Sequence, residues 1–95
     1  MEKTELIAQI AQMIKARVTP EYKVILFGSW AKGNALPTSD IDIGILGKHK
    51  LPFETYVEIK NAVETIPTLR TIDVVDLQSV SAHFRETALQ HTQTL

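Results

Sequence analysis

Two aspartates one residue apart, Asp40 and Asp42, open an apolar run that reads SDIDIGIL. Ahead of them the strand-like KVILF, Lys23 to Phe27, runs into Gly28-Ser29, and ten residues separate Ser29 from Asp40. With each residue type used at roughly 5–7%, the spacing G-S-x10-D-x-D arises by chance in about one chain in a thousand of this size. Successive strand side chains point to opposite faces, so Asp40 and Asp42 project together while Ile41, Ile43 and Ile45 point into a core. Two carboxylates about 7 Å apart along a strand can converge on metal ions from one side. The Gly-Ser turn suits a different task. Gly28 lets the backbone approach a ligand closely. Ser29 is expected to cap a short helical turn, Trp30 to Lys32, whose free N–H groups form an anion site. Carboxylates for Mg²⁺ beside N–H groups for phosphate are the parts a nucleoside triphosphate needs. A plainer account exists for Asp40, because a Ser-Asp pair at a strand start is commonly a turn. Asp42 resists that account, since it lies inside the apolar strand on the face it shares with Asp40. At about 4 Å and an effective dielectric near 20, two like charges repel by about 4 kcal/mol, and a bound cation removes that cost.

The elements that must position these groups follow from periodicity. Leu6, Ile7, Ile10, Met13, Ile14 and Val18 recur at helical steps and predict a helix over Thr4 to Val18, capped by Thr4 and stopped by Pro20. Lys23 to Phe27 is the first strand, and its nearly continuous apolar run implies burial on both faces. Gly33 to Ser39 reads as a loop, Asp40 to Leu46 as the second strand, and Gly47 to Lys50 as a solvated turn. A second helix spans about Pro52 to Ile66, with Pro52 in its first turn and Phe53, Tyr56, Val57, Val63 and Ile66 on its buried side. Leu69 to Asp76 is the third strand. Asp73 sits between Ile72 and Val74 and needs a partner or a cation, which makes it the third candidate carboxylate. Asp76, at the strand's end, reads as a turn residue. A last helix, capped by Ser79 or Ser81, runs to about Gln90 with Phe84, Ala88 and Leu89 inward, and the tail from His91 to Leu95 is uninformative. The order is helix, strand, Gly-Ser turn, strand, helix, strand, helix: an α/β (α+β) sandwich with a small mixed sheet flanked by helices, in one domain over 1–95.

Bulk properties narrow the function classes. The chain has 95 residues, 44% of them hydrophobic and 22% charged, an ordinary globular balance. A net charge of −1 leaves no basic footprint for a nucleic-acid partner. The absence of cysteine excludes disulfides, thiolate zinc sites and a cysteine nucleophile. The N-terminus is too polar for a signal peptide and no apolar run approaches a membrane span, so a cytoplasmic location is expected. His49, His83 and His91 show no ligand spacing with the aspartates. No histidine lies near Ser29 in a triad pattern, which argues against hydrolysis.

The stretch FGSWAKGNALPTSDIDIGIL, the downstream DVVD and a final helix containing HFRETAL resemble the minimal nucleotidyltransferases of the DNA polymerase beta superfamily. The resemblance covers roughly Ile10 to Leu89. Gly28, Ser29, Asp40, Asp42 and Asp73 match its pattern position by position, and Gly33 and Pro37 fall where the family usually has them. It implies the polymerase-beta-like nucleotidyltransferase fold, with Asp40 and Asp42 binding the two Mg²⁺ ions that carry ATP. It further implies that Asp73 helps to bind the catalytic metal and serves as general base, and that Gly28 and Ser29 hold the phosphates. Many members are antitoxins paired with a HEPN-type toxin, and some silence that toxin by transferring AMP to one of its tyrosines. Trp30 stands where the family often has arginine, and Lys32 is the nearest basic residue; Trp30 itself reads as a packing or partner-contact residue. Related chains often carry a further short strand after the last helix, which in a chain ending at Leu95 is short, absent or cut off.

Three functions stay open at this point. One is an enzyme modifying a protein partner, which the resemblance favours. Another is an antitoxin acting by contact alone. The third is a catalytic subunit for a small molecule or a nucleic acid. In each case homo- or hetero-oligomers are compatible with so small a domain.

Overall fold

The computed structural model describes residues 3–95. Helix α1 (Lys3–Lys15) leads to strand β1 (Lys23–Phe27), the single turn α2 (Ser29–Lys32) and strand β2 (Ile41–Leu46). Helix α3 (Phe53–Glu64), strand β3 (Ile72–Asp76), helix α4 (Ala82–Ala88) and the two-residue strand β4 (Gln93–Thr94) follow. The sheet order is β3-β2-β1-β4, with β1 antiparallel to β2 and to β4, and β2 parallel to β3. The mixed sheet with helices is the expected architecture. The tail contributes β4, which the sequence signal was too short to reveal: Leu26 pairs with Gln93 and Ile25 with Thr94.

One face of the sheet carries the main core. Leu26, Ile43 and Val74 lie side by side across the three main strands. They are covered by Ile10 and Ile14 of α1 and by Ile59 and Val63 of α3, all buried. Ile41, Ile43 and Ile45 are all fully buried, as their alternation with Asp42 and Gly44 requires. The opposite face holds a smaller cluster of Ile25, Phe27, Leu77 and Ala88. Gly44 makes that second cluster possible. A Cβ there would come within 2.7 Å of Leu77 Cδ1, so a larger residue would push Leu77 off the sheet. Leu77 and α4 therefore cover the middle of this face, and the end carrying Asp42 and Asp73 stays more open.

Some helix details depart from expectation. Thr4 lies inside α1 rather than capping it. Pro52 is the residue before α3, not part of its first turn. The buried stripe of α3 runs through Tyr56, Ile59 and Val63 to Ile66, whereas Phe53 is 78% exposed and Val57 is exposed too. Val57 sits one residue, about 100°, round from the stripe, and Phe53 is on the stripe but in the helix's first turn. Leu69 is exposed before β3 rather than within it. Ser81 caps α4, accepting from Phe84 N, while Phe84 and Leu89 are only partly covered, at 44% and 39% exposure.

Asp76 is the turn residue expected, and it is also buried. Its carboxylate accepts from Leu51 N at 2.8 Å, Gln78 N at 3.0 Å and Ser79 Oγ at 3.0 Å. It thus joins the end of β3 to the entry of α3. Asp76→Ala leaves three donors without this acceptor. The expected loss is about 2–4 kcal/mol in urea unfolding, with Asp76→Asn milder because one acceptor oxygen survives.

Candidate active site

Backbone register brings the predicted groups together. Phe27 of β1, Asp42 of β2 and Asp73 of β3 are direct neighbours across the sheet. Residues paired across a sheet share a face, so Asp42 and Asp73 project from the same side. Asp40 lies in extended chain just before β2, two residues from Asp42, at the same end of the sheet. Asp40 and Asp73 are exposed and Asp42 is half-buried.

The Gly-Ser turn closes on the middle carboxylate. Gly28 has φ 73° and ψ −151°, a conformation that L side chains rarely adopt, and a Cβ built on it would collide with Asp42 Oδ2. The turn backbone is therefore in direct contact with the Asp42 carboxylate. Gly28 is the N-cap of α2, and no side chain caps this turn, so the expected capping by Ser29 does not occur. Ser29 is instead the first helical residue. Its carbonyl accepts the Gly33 and Asn34 N–H groups, which folds the chain back after one turn. Lys32 closes α2 and is exposed.

Electrostatics single out Asp42. Burial raises its pKa above the ordinary 3.8, and the neighbouring charges of Asp73 and then Asp40 raise it further. An ionised Asp42 is thus held against desolvation and like-charge repulsion, both of which a divalent cation relieves. Among the described residues no three His, Cys, Asp or Glu side chains close into a prebuilt metal cage. The donor set still suits Mg²⁺. It consists of carboxylate oxygens, and Mg²⁺ takes one or two of these and completes its shell with water and substrate phosphate. The carboxylates stand on an open sheet face, and the concavities beside Tyr22, Tyr56 and Arg70 are lined by other residues.

A profile of the family described as polymerase beta nucleotidyltransferase matches residues 8–95. The chain belongs to that family. It is 33% identical over 77 residues to the probable protein adenylyltransferase MntA of Haemophilus influenzae, covering 81% of this chain and 68% of the relative. The fold matches that of a solved candidate minimal nucleotidyltransferase with a TM-score of 0.71, at 21% identity over all of this chain and 97% of the other. It also matches a chain of a toxin–antitoxin complex with AMP-PNP (TM-score 0.62, 22% identity, 98% of this chain and 72% of the other). A third match is a complex of a tri-AMPylated Shewanella oneidensis HEPN toxin with its MNT antitoxin (TM-score 0.63, 20% identity, 98% and 71%). The family assignment makes this nucleotidyltransferase an enzyme by descent. Among the described residues no helix is long and apolar enough to cross a membrane.

Two further side chains border the site. Phe84 of α4 meets Phe27 edge-on, with ring centroids 6.3 Å apart, beside the Asp42 register position. Arg70 reaches across to Pro37 in the loop before Asp40. A basic residue three positions before the third carboxylate was the available signal for Arg70. Phe84, expected on the inward side of the last helix, makes this contact while staying partly exposed.

Two stability outcomes follow. A carboxylate whose folded pKa is raised adds stability below its unfolded pKa and loses it as pH rises through the folded value. Cation-free protein is therefore destabilised at neutral pH by ionised Asp42. Asp42→Asn in chelator is expected to melt higher than wild type at pH 7, with the gap closing toward pH 3.8, as a thermal-melt series against pH would show. Gly28→Ala is expected to cost about 1–3 kcal/mol in urea unfolding, from backbone strain and the clash with Asp42.

Proposed function

We propose that this protein transfers AMP from ATP to a hydroxyl of a protein partner, a tyrosine of a HEPN-type toxin, and so acts as its antitoxin. The observation that carries the reading is the adjacency of Asp42 and Asp73 across parallel strands, with Asp40 beside them, in a chain one-third identical to a probable protein adenylyltransferase. The AMPylated toxin in one structural relative supports the same acceptor class, and the AMP-PNP in another supports ATP as donor.

In this reading Asp40, Asp42 and Asp73 hold two Mg²⁺ ions, which when bound offset the triphosphate charge and the charge developing on the attacking and leaving oxygens. The Gly28 backbone and Ser29 hold phosphate oxygens, and Lys32 supplies a positive charge nearby. The acceptor oxygen attacks the α-phosphorus in line. A new P–O bond forms to the tyrosine, the bond to the β-phosphate bridging oxygen breaks, and pyrophosphate leaves. The hydroxyl proton passes to the Asp73 carboxylate or to water. Asp73 is suited to that by its exposure, which lets an acceptor on another protein reach it. The open face around the carboxylates suits such an acceptor better than a small molecule, which is usually enclosed in a cleft.

The test is label transfer from ATP carrying a radioactive α-phosphate, with Mg²⁺ and host lysate or a purified neighbouring gene product. Wild type is expected to label one protein band. Asp42→Asn is expected to keep the fold and lose about a thousandfold in rate, since a missing ligand costs about 4 kcal/mol in the transition state. Label in a nucleic acid or small molecule would move the assignment to another acceptor. Tight partner binding without transfer by either protein would make it a contact antitoxin, the reading that Trp30 in place of a phosphate-binding arginine favours.

A further inference from the structure

Trp30 and Arg70 take no part in the reaction above, yet both touch the loop that delivers Asp40. That loop, residues 33–40, contains no helix or strand. Its second half closes on itself: Ser39 N donates to Leu36 O at 2.9 Å, and Leu36 N donates to Ser39 Oγ at 2.9 Å. The closed turn is then fastened to the body of the protein at two points. The indole Nε1 of Trp30 donates to Ser39 O at 3.2 Å, and the Arg70 guanidinium donates to Pro37 O. The two anchors are themselves joined, with Arg70 Cζ 5.2 Å from the Trp30 ring centroid and Lys3 Nζ 4.4 Å from it. Cations this close to an indole are attracted by the ring quadrupole.

The consequence falls on Asp40. The peptide group before it is held through Ser39 O by Trp30, and the one after it through Ile41 N, which donates to Thr71 O at 2.9 Å. Both flanking peptides are fixed, so the exposed Asp40 side chain springs from a defined backbone. Arg70 belongs to the segment that leads into β3 and Asp73. The same contact therefore ties the approach to Asp40 to the approach to Asp73. Trp30 itself is half-buried, its N–H is engaged and two cations lie against its ring. An indole so occupied is not free to stack on a nucleobase.

We propose that Trp30 and Arg70 form a positioning clamp that sets Asp40 beside Asp42 for binding a divalent cation with its nucleotide. The proposal rests on the carboxylate reading of the site, and its test separates the two. Mn²⁺ is titrated into the full chain with AMP-PNP, using wild type, Trp30→Phe, Arg70→Ala and Arg70→Lys, and amide hydrogen exchange is followed at Ser39 and Ile41, whose N–H groups are hydrogen-bonded. Trp30→Phe keeps an aromatic ring and removes the N–H donor. It is expected to weaken Mn²⁺ binding about tenfold, roughly 1.4 kcal/mol or one hydrogen bond's worth. Arg70→Ala should weaken it about three- to tenfold, and Arg70→Lys, which retains a cation and a donor, should recover most of the loss. Exchange should accelerate at Ser39 and Ile41 while the amides of Ile43 and Ile45 stay protected. Wild-type affinity in both Trp30→Phe and Arg70→Ala would overturn the clamp and leave the site reading intact. Acceleration throughout β2 would overturn it as well, by making the effect one of general stability. Absence of Mn²⁺ binding in wild type would overturn the site reading, and the clamp with it. The single tryptophan gives one indole N–H resonance, which should shift in Arg70→Ala if the two anchors are coupled.

Discussion

A slip of β2 by one residue against its neighbours would turn Asp42 into the core and expose Ile41, Ile43 and Ile45. The three isoleucines, all fully buried, contribute about 1.5–3 kcal/mol each by leaving water. An unpaired carboxylate taken into the core would cost several kcal/mol more. The sum is on the order of 10 kcal/mol, comparable with the whole stability of a small domain. The alternation of β2 therefore locks its register as it builds the core. The same lock brings Asp42 level with Phe27 on one side and Asp73 on the other. Core and site are two faces of one constraint.

The site also works against the fold that holds it. Asp42 is half-buried, flanked by carboxylates, and packed where Gly28 leaves no room for a side chain. Asp76 shows the contrast within the same chain. It is more deeply buried, yet three hydrogen-bond donors converge on it and it anchors a turn. A buried acid with donors is structural; a half-buried acid among other acids is destabilising when ionised. The loop ties at Trp30 and Arg70 oppose the repulsion by limiting how far Asp40 can retreat.

Much of this was legible in the chain. The strands around KVILF and IDIGIL, the inward isoleucines with Asp42 on the opposite face, and the helix before Pro20 all follow from periods of 2 and 3.6. Errors arose where period alone does not decide. Ser29 looked like a cap by residue type, but the turn needs a positive φ at the position before it, and only Gly28 supplies that. Apolar identity points Phe53 and Val57 inward, but the helix buries Ile59 and Val63 instead and leaves both exposed. Strand β4 is two residues long and owes its place to the open edge of β1 rather than to any pattern of its own.

The sequence by itself determined the identity and spacing of the local groups: Gly beside Ser, one aspartate on β2 with another two residues ahead of it, a third acid inside a later strand. Those follow from short-range geometry, which a chain carries wherever it goes. Only the tertiary structure decided that β3 lies parallel to β2 in the register that seats Asp73 next to Asp42, and that Gly28 meets Asp42. It likewise decided that Arg70 and Trp30 close over the Asp40 loop. Contacts between residues far apart in the chain depend on which strands become neighbours. That choice is made by burying the apolar faces of β1, β2 and β3 under α1 and α3 together, a collective packing that no local pattern encodes.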